Sequence, residues 1–389
     1  MRRILALILI YACAAAVQAG DERIFVNAKI NGKPIRFAFD TGTGCPFILF
    51  STAAQKLNLK VTPSADAKIG PGGTSLGVTD FQRLDLGFTN IETRFGVVEI
   101  PAYLKAGEDG ALGWPAISNN IFSIDCDAHE VNFSQNLPNK LAGWTKFHIQ
   151  TIAGDLTLEL TNGKKLEKIV ALDSGTPYGV MLNSQKWHGW ELVHTNRPMT
   201  LEAYYTPTPG LVVAKEGWAD KVSLGALTLT DVPVMEADSG SVALFSSPKT
   251  QYEATLGLAA MKRLDIIVDG IHGFAYVRPK KTRPLPYDHN RLGAVFVPRN
   301  SQNDDLIAHV ASGSPAYRAG IRNGDILLKE DGRDVTKWRT DTNEPPKIRP
   351  VEQPAGTKLE LTLKRGDTIF KTTATLRNIL PPDPVPNSN

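Results

Sequence analysis

The sequence has few cysteines, little net charge and, beyond its N-terminus, no long apolar run. A net charge of +3 over 389 residues argues against dedicated nucleic-acid binding, which needs a concentrated basic surface. After residue 20, no segment is long and apolar enough to cross a bilayer. The seven histidines are scattered without HExxH or other ligand spacing, so the sequence indicates no metal site.

The N-terminus reads MRRILALILIYACAAAVQAG, which has the order of features of a secretory signal. Two arginines precede an apolar run that is shorter than the about 20 residues of a membrane span, and small residues precede Gly20. We predict a signal peptide over residues 1–19 and a secreted or periplasmic protein. Lipid attachment through Cys13 is the weaker alternative, because Tyr11 is an awkward neighbour for such a site.

The other two cysteines, Cys45 and Cys126, remain in the mature chain. An oxidising compartment permits a disulfide between them. No sequence feature places the two residues near each other, so a disulfide and two free thiols both stay open.

Length and repetition indicate how the chain is organised, and 389 residues predict two or three domains. A hairpin pattern with Asn31-Gly32 at its turn ends on Asp40-Thr41-Gly42-Thr43. A second hairpin, with Asn162-Gly163 at its turn, ends on Asp173-Ser174-Gly175-Thr176. A carboxylate at the end of a buried strand is costly unless something holds it. Each aspartate therefore indicates a structural hydrogen-bond network or a working acid.

The two halves also share two later glycines in the same order. Gly87 in RLDLGFTNI corresponds to Gly225 in KVSLGALTL, and Gly113 in ALGWPAISNN corresponds to Gly257 in TLGLAAMKRL. The offset between the halves rises from 133 residues at the aspartates to 138 and then 144 at these glycines, as small loop insertions would produce. We interpret the halves as one duplicated β-rich unit with a boundary near residues 143–150.

The duplicated Asp-Thr-Gly-Thr and Asp-Ser-Gly-Thr sequences, each followed by an apolar-apolar-Gly element, resemble the aspartic proteases. The short lobes and the segment IGPGGTSLG are more similar to the retropepsin-type branch than to the larger pepsins. The resemblance covers about residues 22–280. It implies a mainly β, double-lobed acid protease fold with lobes at residues 22–144 and 145–282.

In that family each lobe supplies one aspartate of a catalytic pair, so the resemblance implies that Asp40 and Asp173 share a proton and activate a water. The glycine two residues after each aspartate would bring amide groups toward the carboxylates. The threonine three residues after each aspartate would orient the carboxylates through its hydroxyl. The residues expected to support the pair are Thr41, Gly42, Thr43, Ser174, Gly175 and Thr176.

The same resemblance implies a flap over the cleft at KIGPGGTSLGVTDF, whose glycines suit a hinge-like hairpin tip. The flap glycines are Gly70, Gly72, Gly73 and Gly77. A flexible loop without this role is the alternative, and the segment lacks the flap tyrosine of larger family members. The corresponding stretch of the second lobe, residues 203–210, is longer and Pro-rich, which predicts asymmetric flaps.

After residue 282 the repeat ends and a different pattern begins. The run Ser314-Pro315-Ala316, followed by Gly324-Asp325-Ile326-Leu327, resembles a PDZ domain of the type attached to bacterial periplasmic proteases, here at residues 288–379. Such domains add an extended peptide to a sheet edge. The resemblance implies that backbone N–H groups of one loop bind a peptide carboxylate. The residues of that loop are Leu292, Gly293, Ala294 and Val295.

One feature of the C-terminal region departs from a standard PDZ domain. Four prolines in TNEPPKIRPVEQPAG predict a short or irregular second wall for the peptide groove. A structural PDZ domain that binds no peptide is therefore the alternative. Residues 380–389 are predicted to be a flexible tail.

Taken together, these patterns predict an aspartic endopeptidase that needs no metal or cofactor and acts on peptide or protein substrates. Its PDZ domain is expected to bind peptide C-termini or substrates. Two complete lobes in one chain predict a monomeric catalytic unit. The alternative is a non-catalytic peptide-binding sensor or scaffold, built on an inactive protease fold with a PDZ domain.

Overall fold

The protein is mainly β-sheet, as the sequence predicted. The computed structural model describes residues 23–63, 74–99, 107–152, 154–162, 165–205, 211–237, 252–281, 287–299, 303–338 and 349–380. The predicted signal peptide, and the predicted tail after Leu380, lie outside the described residues. Within those residues, no helix has the length and apolar character that a membrane span requires.

Nine strands of the described chain form the first sheet, in the order β4-β5-β8-β3-β9-β2-β1-β6-β7. Two short helices, α1 (Ser51–Lys56) and α2 (Trp114–Ile117), follow strands β3 and β9. The strands are β1 (Phe25–Ile30), β2 (Lys33–Asp40), β3 (Phe47–Phe50), β4 (Val61–Thr62), β5 (Thr74–Thr79), β6 (Gln82–Asp85), β7 (Asn90–Thr93), β8 (Gly96–Glu99) and β9 (Gly110–Gly113).

A second sheet contains twelve strands of the described residues, in the order β11-β10-β20-β21-β12-β13-β14-β19-β15-β18-β17-β16. Its helices are α3 (Ser184–Val193) and α4 (Leu258–Met261). The strands are β10 (Ile121–Asp125), β11 (Glu130–Ser134), β12 (Thr145–Ile152), β13 (Asp155–Asn162), β14 (Lys165–Leu172), β15 (Val180–Leu182), β16 (Thr200–Tyr205), β17 (Leu211–Leu224), β18 (Leu227–Glu236), β19 (Ala254–Leu256), β20 (Leu264–Asp269) and β21 (Phe274–Pro279).

The strands around the two aspartates follow one pattern in both sheets. The order β5-β8-β3-β9-β2-β1 of the first sheet recurs as β17-β18-β15-β19-β14-β13 in the second. The strand that leads to each aspartate is parallel to its neighbour, since β2 pairs with β9 and β14 pairs with β19. The next pairings, β9 with β3 and β19 with β15, are antiparallel. The matching order and polarity place both aspartates at corresponding ends of their sheets.

Turn residues have the backbone conformations that the sequence pattern requires. Asn31 and Gly32 both have positive φ, +51° and +80°, which is the geometry of a two-residue hairpin between β1 and β2. The corresponding glycines Gly87 and Gly225 also have positive φ, +82° and +62°. A residue with a side chain would be strained at either of these two positions.

The boundary between the first two sheets is not the boundary between the repeated units, which stays predicted near residues 143–150. Strands β10 and β11 precede it in sequence but belong to the second sheet, where β11 pairs with β10 and β10 pairs with β20. Ser123 pairs with Ile267, and these two residues are related by the same offset of 144 residues as Gly113 and Gly257. A strand paired with its own counterpart in this way is expected at a two-fold axis between equivalent units.

The interior explains why the two halves are not separate. Phe39 of the first sheet contacts Phe122 edge-on, with ring centroids 5.7 Å apart, and both residues belong to one apolar cluster that also contains Val268.

Cys45 and Cys126 are buried free thiols. Burial raises the pKa of Cys45 to about 11 and that of Cys126 to about 12, so both thiols stay protonated and unreactive.

The third sheet belongs to the C-terminal region, and within the described residues β22 lies at its edge. Its core is separate from that of the other sheets. Pro315 lies in the first turn of the short helix α5 (Pro315–Arg318), and Ser314 caps that helix. A 3-10 turn spans Pro350–Glu352. The strands are β22 (Ala294–Pro298), β23 (Leu306–Val310), β24 (Ile326–Glu330), β25 (Arg333–Asp334), β26 (Lys358–Arg365) and β27 (Thr368–Thr375).

Candidate active site

Asp40 and Asp173 meet where the two sheets approach each other. Asp40 is the last residue of β2 and lies opposite Gly113 of β9. Asp173 follows β14, and its N–H donates to the carbonyl of Leu256 at 2.9 Å. The two carboxyl groups are close enough for the charge of Asp40 to raise the pKa of Asp173. Residues separated by 133 positions in the sequence therefore form one pair of acids.

Each aspartate accepts a hydrogen bond from the turn that follows it. The N–H of Gly42 donates to Oδ1 of Asp40 at 2.9 Å, and the N–H of Gly175 donates to Oδ1 of Asp173 at 2.9 Å. These donors stabilise the ionised form of each carboxyl group.

The two glycines also lie against the aspartate of the other lobe. A Cβ at Gly42 would stand 2.3 Å from the Cγ of Asp173, and a Cβ at Gly175 would stand 2.4 Å from the Cγ of Asp40. A real Cβ never comes so close to another carbon atom. Only glycine therefore lets each loop pack on the opposite carboxyl group, and this contact is reciprocal.

Thr41 and Ser174 join the two loops through buried hydrogen bonds. The Thr41 hydroxyl donates to the Leu172 carbonyl at 2.7 Å, and the Ser174 hydroxyl donates to the Phe39 carbonyl at 2.8 Å. The backbone N–H of Thr41 donates to the Ser174 hydroxyl, and that of Ser174 donates to the Thr41 hydroxyl, both at 3.0 Å. This exchange fixes the position of one aspartate relative to the other.

Removing one of these hydroxyls should weaken the whole fold. Ser174→Ala would leave the Phe39 carbonyl and the Thr41 N–H without their buried partner, which is expected to lower the free energy of unfolding by about 1–3 kcal/mol. Urea unfolding measures the loss. Ser134→Ala is the matched control, because the Ser134 hydroxyl bonds to Asn136 at the surface. Equal losses in the two variants would contradict a locking role for Ser174.

Thr43 lies in its loop differently from the sequence prediction. Its Cγ2 methyl packs against Gly113, as the Cγ2 methyl of Thr176 packs against Gly257. The hydroxyl of Thr43 is buried without a hydrogen-bond partner among the described residues. The predicted hydroxyl contact to a carboxylate is therefore wrong for Thr43, because its methyl group fills the space above the glycine.

The environment of Asp173 favours a bound proton. Burial raises the pKa of Asp173 well above its ordinary value, and the charges of Asp40 and Asp155 raise it further. The hydrogen bond from the Gly175 N–H opposes this shift. Two adjoining carboxyl groups that cannot both ionise hold one proton between them.

Asp155 is a third acid at this site, and the sequence pattern did not reveal it. It begins β13, and Tyr252 places its hydroxyl oxygen 3.1 Å from Oδ2 of Asp155. Burial raises the pKa of Asp155 to about 7, with a further contribution from the charge of Asp40. The sequence held a weak signal for Asp155. A charged residue directly precedes the alternating apolar residues of the hairpin in both halves, Arg23 before Ile24 and Asp155 before Leu156.

Three of the predicted flap glycines, Gly70, Gly72 and Gly73, lie outside the described residues. The fourth, Gly77, is not at a hairpin tip but inside β5, where the pairing with β8 is irregular. A Cβ at Gly77 would stand 2.0 Å from the carbonyl oxygen of Thr62. Gly77 therefore permits close packing of β5 on β4 rather than a hinge.

The loop predicted to bind a peptide carboxylate is closed. Leu292, Ala294 and Val295 are buried, and the N–H groups of Leu292 and Gly293 both donate to Oδ1 of Asn290 at 3.0 Å. The side chain of Asn290 thus occupies the position expected for a peptide carboxylate. The predicted binding of a peptide carboxylate is therefore wrong for the N–H groups of Leu292 and Gly293, which Asn290 already engages in the structure described.

The closed loop packs against strand β16 of the second sheet. The Asn290 side-chain amide donates to the Leu201 carbonyl at 2.9 Å and to the Ala294 carbonyl at 2.8 Å. In return, the Thr200 hydroxyl donates to the Asn290 carbonyl at 2.6 Å. Strand β16, at the edge of the second sheet, is therefore held beside strand β22, at the edge of the third sheet. A peptide added to the PDZ sheet would approach β22 at this place.

Buried charges connect the same two regions. Arg349 donates to the Glu202 carboxylate of β16 at 3.2 Å and to Glu352 at 2.7 Å. Tyr287 donates to Glu216 at 2.6 Å, and burial, followed by the charge of Glu202, raises the pKa of Glu216 well above its ordinary value. One arginine thus compensates several buried acids at the contact.

Comparison with known families finds a match in the first part of the chain and another in its C-terminal region. A family model described as aspartyl protease matches residues 26–116, and a PDZ domain model matches residues 306–365. No curated protein matches the chain. The first match includes Asp40 and its turn, whereas Asp173 lies outside both matches. The chain therefore carries an aspartyl protease domain and a PDZ domain, as the sequence resemblance predicted.

Proposed function

We propose that this chain, which carries an aspartyl protease domain and a PDZ domain, is an aspartic endopeptidase whose catalytic pair is Asp40 and Asp173. The observation that carries the proposal is the reciprocal contact between the two turns, in which Gly42 packs on Asp173 and Gly175 packs on Asp40. A pair of structural turn aspartates would not require each glycine to face the opposite carboxyl group.

The chemistry follows from one proton shared by two acids. The ionised aspartate takes a proton from a water molecule that attacks the scissile carbonyl carbon. The protonated aspartate donates a hydrogen bond to the carbonyl oxygen, on which negative charge develops. The proton taken from the water then passes to the amide nitrogen, so that the C–N bond breaks and the amine leaves from the new carboxyl group. The Gly42 and Gly175 amides and the exchange between Thr41 and Ser174 hold both carboxyl groups in place before the substrate arrives.

The proposal extends to the rest of the chain. The PDZ domain braces strand β16 through Asn290 and Arg349, and a peptide bound at its edge would have to displace this contact. The signal sequence supports a secreted or periplasmic protein. Two lobes in one chain support a catalytic unit that works as a monomer.

Cleavage of a mixed peptide library from about pH 3 to 7 tests the proposal, because a shared proton is required in that range. Cuts that disappear with a statin-type transition-state mimic are expected. The mimic should also bind more tightly than a matched peptide, since only a working pair of acids favours that geometry. A folded protein that cleaves nothing and binds both compounds equally would instead be a peptide-binding module.

A further inference from the structure

The hairpin between β12 and β13 is attached to the loop that follows Asp40. The N–H of Leu156 donates to the Thr41 carbonyl at 2.9 Å. Gly154, with φ of +96°, approaches the same loop so closely that a Cβ there would stand 2.1 Å from the Cα of Gly44. Asp155 lies between these two contacts, so its position relative to Asp40 is fixed by the backbone on both sides.

The surroundings of the Asp155 side chain contain acids and one phenol. The Tyr252 hydroxyl lies 2.8 Å from the Ile152 carbonyl and 3.1 Å from Oδ2 of Asp155. Its single proton serves one of these acceptors at a time, so a protonated Asp155 completes the network by donating to the phenol oxygen. The charge of Asp40, at the end of β2, raises the pKa of Asp155, and the charge of Asp155 in turn raises the pKa of Asp173, after β14.

The corresponding position of the first lobe has a different chemistry. Arg23 precedes β1 and forms an ion pair with the buried Glu108, with 2.6 Å between Nη1 and Oε1. Glu108 and Tyr252 are related by the offset of 144 residues that also relates Gly113 and Gly257. The first lobe therefore carries the ion pair of Arg23 and Glu108, whose charges cancel. At the corresponding place the second lobe carries Asp155 beside the Tyr252 phenol, so an ionised Asp155 adds a negative charge near the Asp40–Asp173 pair.

We propose that Asp155 is a positioning residue that acts through the Asp40–Asp173 pair and keeps that pair singly ionised toward neutral pH. The proposal rests on the proposed protease function. As the pH rises, Asp155 ionises in place of the second carboxyl group of the pair. Its charge then opposes loss of the last proton from the pair. The pH near 7 at which Asp155 titrates agrees with this order of ionisation.

The pH dependence of kcat/KM from about pH 3 to 8 tests this role, with wild type and Asp155→Asn compared on one peptide substrate. We expect the upper limb of the profile to move to lower pH by about one unit in Asp155→Asn, as for groups that interact strongly. The rate on the acidic side should change little, because Asp155 is neutral there. Glu159→Gln removes a carboxylate from the same strand that bonds to Gln150, and its profile should match the wild type.

A titration without substrate separates this proposal from the proposed function. Carbon-13 NMR of labelled aspartates in the full chain should show that Asp155→Asn lowers the upper titration of the Asp40–Asp173 pair. An unchanged upper limb, or an unchanged titration of the pair, overturns the role of Asp155. If neither protein cleaves any peptide, the proposed function fails, and the titration alone decides whether Asp155 acts on the pair.

Discussion

Replacing either Asp40 or Asp173 with asparagine is expected to lower kcat/KM for peptide cleavage by about 10³- to 10⁴-fold, the range found for a lost general acid or base. Asparagine keeps the shape of the side chain but cannot accept or release the shared proton. Each single variant should be as inactive as the double variant, because the two acids act as one unit. The measurement is cleavage of one peptide by equal amounts of folded enzyme.

Asp265→Asn is the matched control for this experiment. Asp265 forms a partly exposed ion pair with Arg278 on the second sheet, so the same chemical change should leave cleavage nearly unaffected. Activity of Asp40→Asn or Asp173→Asn close to that of the control would refute the assignment of the catalytic pair.

Asp173→Asn should also change how stability depends on pH. The pKa of Asp173 is raised in the folded protein, so the folded state binds more protons than the unfolded state over the range between the two pKa values. The stabilising effect is full below the unfolded pKa and is lost as pH rises through the folded one. Asp173→Asn should therefore unfold with a weaker dependence on pH than the wild type.

The second large effect is expected at the contact between the protease lobe and the PDZ domain. Arg349→Leu would leave Glu202 and Glu352 buried without their cation, which should lower the free energy of unfolding by about 3–5 kcal/mol at neutral pH. The loss should shrink at acidic pH, because burial raises the pKa of Glu202 and its carboxyl group then becomes neutral. Urea unfolding followed at both pH values measures it.

Two further variants make this result interpretable. Arg197→Leu breaks the exposed ion pair with Asp220 and should cost no more than about 1 kcal/mol. Combining Arg349→Leu with Glu202→Leu and Glu352→Leu removes the charges together and should regain much of the stability, as for other buried ion pairs. A loss in Arg349→Leu equal to that in Arg197→Leu would show that the contact does not hold the two regions together.

Local patterns in the sequence predicted the hairpins and the two aspartate turns. The Asn31-Gly32 turn and the left-handed glycines Gly87 and Gly225 depend on backbone conformations that few residues adopt, so their sequence signals are strong. The hairpin and aspartate pattern occurs twice in the sequence, and the structure places the two aspartates at corresponding ends of their sheets. The predicted contact of the Thr43 hydroxyl with a carboxylate was wrong. The direction in which the methyl and the hydroxyl of Thr43 point depends on the space above Gly113, which lies 70 residues away in the sequence.

The sequence by itself determined the mainly β fold, the paired Asp-Thr-Gly and Asp-Ser-Gly turns and the presence of a PDZ domain, because each depends on neighbouring residues. Only the tertiary structure decided the exchange between Thr41 and Ser174, the third acid at Asp155 and the closure of the PDZ loop by Asn290. Contacts such as that of Arg349 with Glu202 join residues 147 positions apart. Their energy depends on burial and on the surrounding charges, which exist only after the chain has folded.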